Sequence, residues 1–145
     1  MYRRDVYQKL GGFPRKTIFN EDMIFAATVI GAGYGIMYCA EGRVIHSHNY
    51  TGAQQFHRNF DLAVSQTMHP EIFGGIRSES EGIRLVKRSL SYCIKIGKPW
   101  LMIQVVTQSA GKLLGYKMGQ RYRSLPMWLI LRCTMSPSFW RGGKA

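Results

Sequence analysis

The 145-residue sequence predicts an α/β fold followed by a mainly helical, basic tail, and three observations carry that prediction. A helix-start signal, Asn20-Glu21-Asp22, opens an apolar run at helical spacing. Two short runs, residues 35–39 and 43–48, carry the apolar and aromatic content of strands and are separated by Ala40-Glu41-Gly42. Beyond Gly74-Gly75 the pattern turns helical and the charge turns basic.

The charge is divided unevenly. Residues 1–75 hold seven Lys/Arg against six Asp/Glu, whereas residues 76–145 hold thirteen against two, and no acidic residue follows Glu81. That contrast places a boundary between a core-like part, 1–75, and a basic amphipathic extension, 76–145. The composition, 46% hydrophobic and 19% charged, is that of a globular chain. Three cysteines without a Cys-x-x-Cys argue for a reducing compartment and against a disulfide framework or zinc ribbon. Met-Tyr-Arg-Arg-Asp is followed by no apolar stretch, so the start of the chain does not read as a secretory signal.

In chain order, Val6 and Leu10 lie four apart on a short helix that Gly11-Gly12 stops. Phe13-Pro14 opens a loop carrying Arg15 and Lys16, which suit either solvent or a phosphate group. Asn20 is placed to N-cap a helix from Glu21, with Met23, Ala27 and Ile30 as its buried seam and Gly31 and Gly33 as its end. Glu21 and Asp22 then sit in the first turn, where the helix dipole favours a charged carboxylate. A fixed, ionised carboxylate is what a general base requires, although the same placement serves simple charge–dipole stabilisation. In the second strand, alternation puts His46 and His48 on one face, where imidazoles can ligate a metal, neutralise a diphosphate or make structural hydrogen bonds. A zinc site built from His46, His48, His57 and His69 matches no usual ligand spacing.

A helix over residues 53–68 follows, with Phe56, Phe60 and Val64 as its apolar seam and Gln54, Arg58, Asp61 and Ser65 as its polar one. Arg58 and Asp61, three apart, are spaced to pair, and His69-Pro70 ends the element. Residues 81–97 form a basic amphipathic helix with Ile83, Val86, Leu90 and Ile94 on one side and Arg84, Arg88, Lys95 and Lys98 on the other. Pro99 opens a further helix over residues 100–120 in which Gly111, Gly115 and Gly119 recur every four residues, a stripe that admits close approach of another helix. The longest uncharged run, residues 99–111, is shorter than the ~20 residues that span a bilayer. Peripheral attachment is therefore expected, with Trp128 and Phe139-Trp140 suited to an interface or to a core.

Several of these motifs, taken in register, resemble a known family. Tyr2-Arg3-Arg4, Tyr7, Leu10-Gly11-Gly12-Phe13, Asn20-Glu21-Asp22, Gly33-Tyr34 and Val44-Ile45-His46 resemble the C-terminal part of family-2 glycosyltransferase catalytic domains. His48-Asn49-Tyr50-Thr51, Gln54-Gln55-Phe56 and Arg58-Asn59-Phe60-Asp61 are similar to the rhamnosyltransferase-like branch. The resemblance covers about residues 1–75. It implies the acceptor-side portion of a GT-A (nucleotide-diphospho-sugar transferase) fold, with inversion at the anomeric carbon. It also implies a nucleotide-sugar donor such as dTDP-L-rhamnose, a glycan or lipid-linked acceptor, and a divalent cation, Mg2+ or Mn2+.

By the same resemblance Asp22 is the base, Glu21 its neighbour and His46 the better candidate to contact metal or diphosphate, with His48 on the same strand face as a further candidate; Arg58, on an interdomain helix, is a candidate to approach the donor phosphates. The family's Asp-x-Asp is absent, since the only aspartates are Asp5, Asp22 and Asp61. The donor-binding half is thus expected to lie outside this chain, which reads as a fragment inactive in isolation. The expected place of action is the cytoplasmic side of a bacterial plasma membrane, with an anionic membrane surface as a partner of the tail. The competing class is a non-catalytic basic module binding anionic membrane or nucleic acid. Its cations, however, are interleaved with apolar seams and form no exposed arm, so no specific nucleic acid is expected.

Overall fold

The structure, a computed structural model, describes residues 2–45, 50–75 and 78–142, with backbone alone for 78–80. Its elements are α1 (Arg4–Lys9), α2 (Glu21–Gly31), α3 (Gly52–Met68), α4 (Pro70–Phe73), α5 (Ser78–Lys95), α6 (Leu101–Gln120), a 3-10 turn (Tyr122–Ser124), α7 (Met127–Cys133) and α8 (Pro137–Trp140). Among the described residues no strand forms, which corrects the α/β expectation. Residues 35–39 and 43–45 run without a ladder, and Met37, Tyr38, Val44 and Ile45 are almost wholly exposed. A strand exists only where a neighbour pairs with its N–H and C=O groups, and among the described residues none does so here. The remainder of the second predicted strand, with His46 and His48, lies outside the described residues.

The centre of the fold is the pair α3 and α6. These helices run parallel in constant register, with Gly111 against Gly52, Gly115 against Phe56 and Gly119 against Phe60. A Cβ on Gly115 would collide with the Phe56 carbonyl oxygen, and one on Gly119 with the Phe60 carbonyl oxygen and, at 2.8 Å, with the Ala63 Cβ. The glycine stripe therefore acts within this chain, bringing two backbones close enough for α6 to lie on the carbonyls of α3.

On α3, Phe60 and Val64 are completely buried and pack with Ile18, Ile130 and Cys133. The core thus draws on residues from both sides of Gly74-Gly75. Burying a Phe or Val side chain contributes roughly 1.5–3 kcal/mol, so these two residues tie α3 to α7. Thr51 and Gln54 close a capping box at the start of α3: the Gln54 amide donates to Thr51 Oγ1, and the Thr51 amide to Gln54 Oε1.

Two polar expectations are corrected by this core. Asp61 and Ser65 are buried rather than solvent-facing, at 1% and 0% exposure. Asp61 does not pair with Arg58; it accepts hydrogen bonds from Thr134 Oγ1 at 2.6 Å and the Met135 amide at 2.9 Å, and so fastens the segment after α7 to α3.

The apolar seams are also rotated from those expected. In α2, Ile24, Phe25 and Val29 are buried, while Met23 and Ile30 are exposed. Phe25 decides this, because its ring sits edge-on to Tyr2, Tyr7 and Phe13 at centroid distances of 5.3, 5.1 and 5.5 Å. In α5, Cys93 is buried and Val86 and Leu90 half-buried, whereas Ile83 and Ile94 are exposed. That helix packs chiefly on α6, so only a narrow stripe of it is covered.

Candidate functional site

The turn that leads into α2 is built by α3. Asn20 adopts the left-handed backbone conformation, φ 63°, the only described non-glycine residue to do so, and is buried. Asparagine tolerates this region better than most residues because its short amide can bond locally or to a neighbour. The expected N-cap does not form. Instead, Asn20 Nδ2 donates to Ser65 Oγ at 3.3 Å, and Ser65 Oγ donates to the Phe19 carbonyl at 2.7 Å. The Phe19 carbonyl also accepts from Thr17 Oγ1 at 2.7 Å. A buried serine on α3 therefore grips both residues immediately before Glu21 and Asp22.

Glu21 and Asp22 lie in the first turn of α2, as the sequence predicts, and both are exposed. The Met23 amide donates to Asp22 Oδ1 at 2.8 Å, so Asp22 itself satisfies one of the unpaired donors of the first turn. This bond and the helix end hold the carboxylate toward solvent from a rigid element.

Arg58 is brought to the same turn from α3. Its guanidinium lies 4.7 Å from the centre of the Phe19 ring and 5.3 Å from that of Tyr50, and it donates to Tyr50 Oη at 3.3 Å. Flat stacking on aromatic faces holds an arginine while leaving donors in its plane. Arg15 and Lys16 are exposed on the loop before this turn. The structure thus gathers Glu21, Asp22 and Arg58 around the Phe19-Asn20 turn and places Arg15 and Lys16 on the adjoining loop.

The remaining predicted ligands are not gathered there. His46 and His48 lie outside the described residues. His57 Nδ1 is 2.8 Å from the Cys133 carbonyl and so carries its proton there, and His69 faces Glu71 Oε1 at 3.1 Å. Among the described residues no three His, Cys, Asp or Glu side chains converge, so these residues do not by themselves form a cage for the divalent cation.

Three members of this arrangement escaped the sequence reading: Ser65, Phe19 and Tyr50. Serine at a helix position on a polar stripe reads as solvated, and only its burial against the turn reveals its partners. Tyr50, eight residues before Arg58, carried no helical spacing to link it to that side chain.

Comparison with known proteins places this geometry in context. The chain is 45% identical over 96% of its length to the O-antigen chain rhamnosyltransferase WbaN of Salmonella anatum and 43% identical over 96% to the O-antigen chain rhamnosyltransferase RfbN of Salmonella typhimurium. It spans 44% of the length of each of these relatives. No family model matches the chain. No solved structure matches it either.

Proposed function

Because this chain is a relative of rhamnosyltransferase-like glycosyltransferases along nearly its whole length, we propose that it supplies the acceptor-side part of an inverting glycosyltransferase in surface polysaccharide synthesis. The observation that supports this most strongly is the 45% identity over 96% of the chain. In this reading the sugar is L-rhamnose, the donor dTDP-L-rhamnose and the acceptor a glycan or lipid-linked glycan.

Asp22 accepts the proton of the acceptor hydroxyl as that oxygen attacks the anomeric carbon from the side opposite the nucleotide. The bond between the anomeric carbon and the nucleoside diphosphate breaks, and the configuration inverts. Arg58, held between Phe19 and Tyr50, meets the charge that builds on the departing diphosphate. Arg15 and Lys16 meet phosphate or sugar groups of the acceptor. The divalent cation belongs with a donor-binding half, and the steps assigned to this chain rest on Asp22 and Arg58.

The basic extension is assigned to the cytoplasmic face of the plasma membrane. Arg84, Lys87, Arg88, Lys95 and Lys98 are exposed, as are Tyr92, Trp100 and Trp128. Each cation near an anionic surface contributes on the order of 1 kcal/mol. Among the described residues no helix is long and apolar enough to cross a membrane.

The test is a chimera in which this chain replaces the matching segment of the Salmonella anatum relative. Transfer of rhamnose that survives the exchange and disappears with Asp22→Asn supports the reading. A folded chimera that transfers equally well with Asp22→Asn removes Asp22 from the chemistry. Sedimentation with anionic liposomes at low salt tests the membrane assignment, which fails if the protein stays in the supernatant.

A further inference from the structure

We propose that Ser65 and Asn20 are positioning residues: a buried latch through which α3 sets the direction of the Asp22 carboxylate. The proposal rests on Asp22 acting as the base, and its argument is geometric. Ser65 has no exposed surface, and its hydroxyl makes two bonds at one point of the chain, donating to the Phe19 carbonyl and accepting from Asn20 Nδ2.

Both bonds land on the residues that precede the first turn of α2, and the Asn20 carbonyl in turn accepts the Ile24 amide at 2.9 Å. The route from latch to carboxylate is therefore continuous: Ser65, the Asn20 peptide, the first helical hydrogen bond, and Asp22 inside that turn. Asn20 holds an unfavourable left-handed backbone with its side chain buried. A conformation of this kind persists only where its surroundings over-determine it, and such positions collect at functional sites.

The latch also links the two halves of the reaction. Ser65 belongs to the same helix as Arg58, and the Phe19 whose carbonyl Ser65 holds is the ring on which Arg58 stacks. One helix thereby fixes the spacing between the group that takes the proton and the group that meets the leaving diphosphate. A displacement of about 1 Å between reacting groups costs on the order of a hundredfold in rate, so a latch of this kind acts on turnover rather than on binding.

The experiment uses Ser65→Ala, Ser65→Cys and Asn20→Gly in the active chimera, with Cys133→Ala as a control that opens the core from α7 without removing a hydrogen bond to the turn. Ser65→Cys keeps the shape while weakening the donor, and Asn20→Gly keeps the left-handed backbone while removing the side chain. The expected result is a fall in kcat of about 10- to 100-fold for the latch variants with KM changed less than about threefold, while Cys133→Ala, at an equal or larger loss of melting temperature, keeps its kcat.

If kcat follows melting temperature alike in all four variants, Ser65 and Asn20 are merely structural and the proposal is overturned. A second reading needs no catalysis: in the 145-residue chain, Asn20→Gly should raise hydrogen exchange at the Ile24 amide at least tenfold, and unchanged exchange there overturns the latch. Asp22→Asn separates the two claims, because retained transfer in that variant removes the base while leaving the exchange result standing.

Discussion

Substituting the three glycines of α6 one at a time should change stability with opposite signs. In an open helix, Gly→Ala stabilises by about 1 kcal/mol because alanine loses less backbone entropy. At Gly111 the nearest atom to an added Cβ is the Gly52 carbonyl oxygen at 3.7 Å, an ordinary contact, so that gain should be realised. At Gly115 the added methyl would collide with the carbonyl oxygen of Phe56, with its carbonyl carbon 3.0 Å and its Cα 3.2 Å away. These are backbone atoms and cannot rotate aside, so α6 must move away from α3.

Overpacking of this kind costs about 1–3 kcal/mol or more, and set against the propensity gain it leaves Gly115→Ala about 2 kcal/mol less stable than the parent. The two variants should thus differ by about 3 kcal/mol, which for a chain of this size is about 6–12 °C in melting temperature. Thermal unfolding followed by far-ultraviolet circular dichroism reads the difference directly. Equal shifts for Gly111→Ala and Gly115→Ala, or a rise for Gly115→Ala, would refute the parallel close packing of α3 and α6.

Burial raises the Asp61 carboxyl above its ordinary value of 3.8, against the lowering effect of the hydrogen bonds from Thr134 and Met135. Its contribution to stability is therefore fully present below the unfolded value and lost as the pH rises through the folded one, so urea midpoints of Asp61→Asn should lack the acid-side gain of the parent between about pH 7 and about pH 4. A parallel pH dependence in both proteins would remove Asp61 as the source. Phe60→Ala, at a completely buried position between α3, α6 and α7, should cost about 3–5 kcal/mol, and a loss under about 1 kcal/mol in urea unfolding would contradict the core described above. Of the three free cysteines, Cys39 is exposed while Cys93 and Cys133 are buried, and burial also raises the Cys133 thiol, so a thiol reagent should label Cys39 fast and the other two only on unfolding. Three fast-reacting thiols in the native protein would show that the cores around α5 and α7 are open.

Helix positions were legible from the sequence because their signals are local. Gly11-Gly12 stops α1, Glu21 opens α2 and His69-Pro70 ends α3, each signal falling within a few residues of the observed end. The glycine stripe of α6 was equally legible as a request for close packing, although not the helix it would meet. The faces of α2 and α5 were not, because which side of a helix is buried depends on what lies across from it. Phe25 enters a ring of aromatics contributed by residues 2, 7 and 13, and a spacing rule confined to the helix has no access to those partners.

The sequence by itself determined the helical punctuation, the charge contrast on the two sides of Gly74-Gly75, and the acidic first turn of Asn20-Glu21-Asp22, since each is carried by residues close together in the chain. The tertiary structure alone decided that residues 35–45 form no strand, that Asp61 serves a buried anchor and not Arg58, and that the side chain of Asn20 turns from its own helix to Ser65. The physical reason is common to all three. A backbone ladder, a buried carboxylate and a left-handed residue are each stable or costly according to hydrogen-bond partners supplied across the fold, here from as many as 74 positions away in the chain.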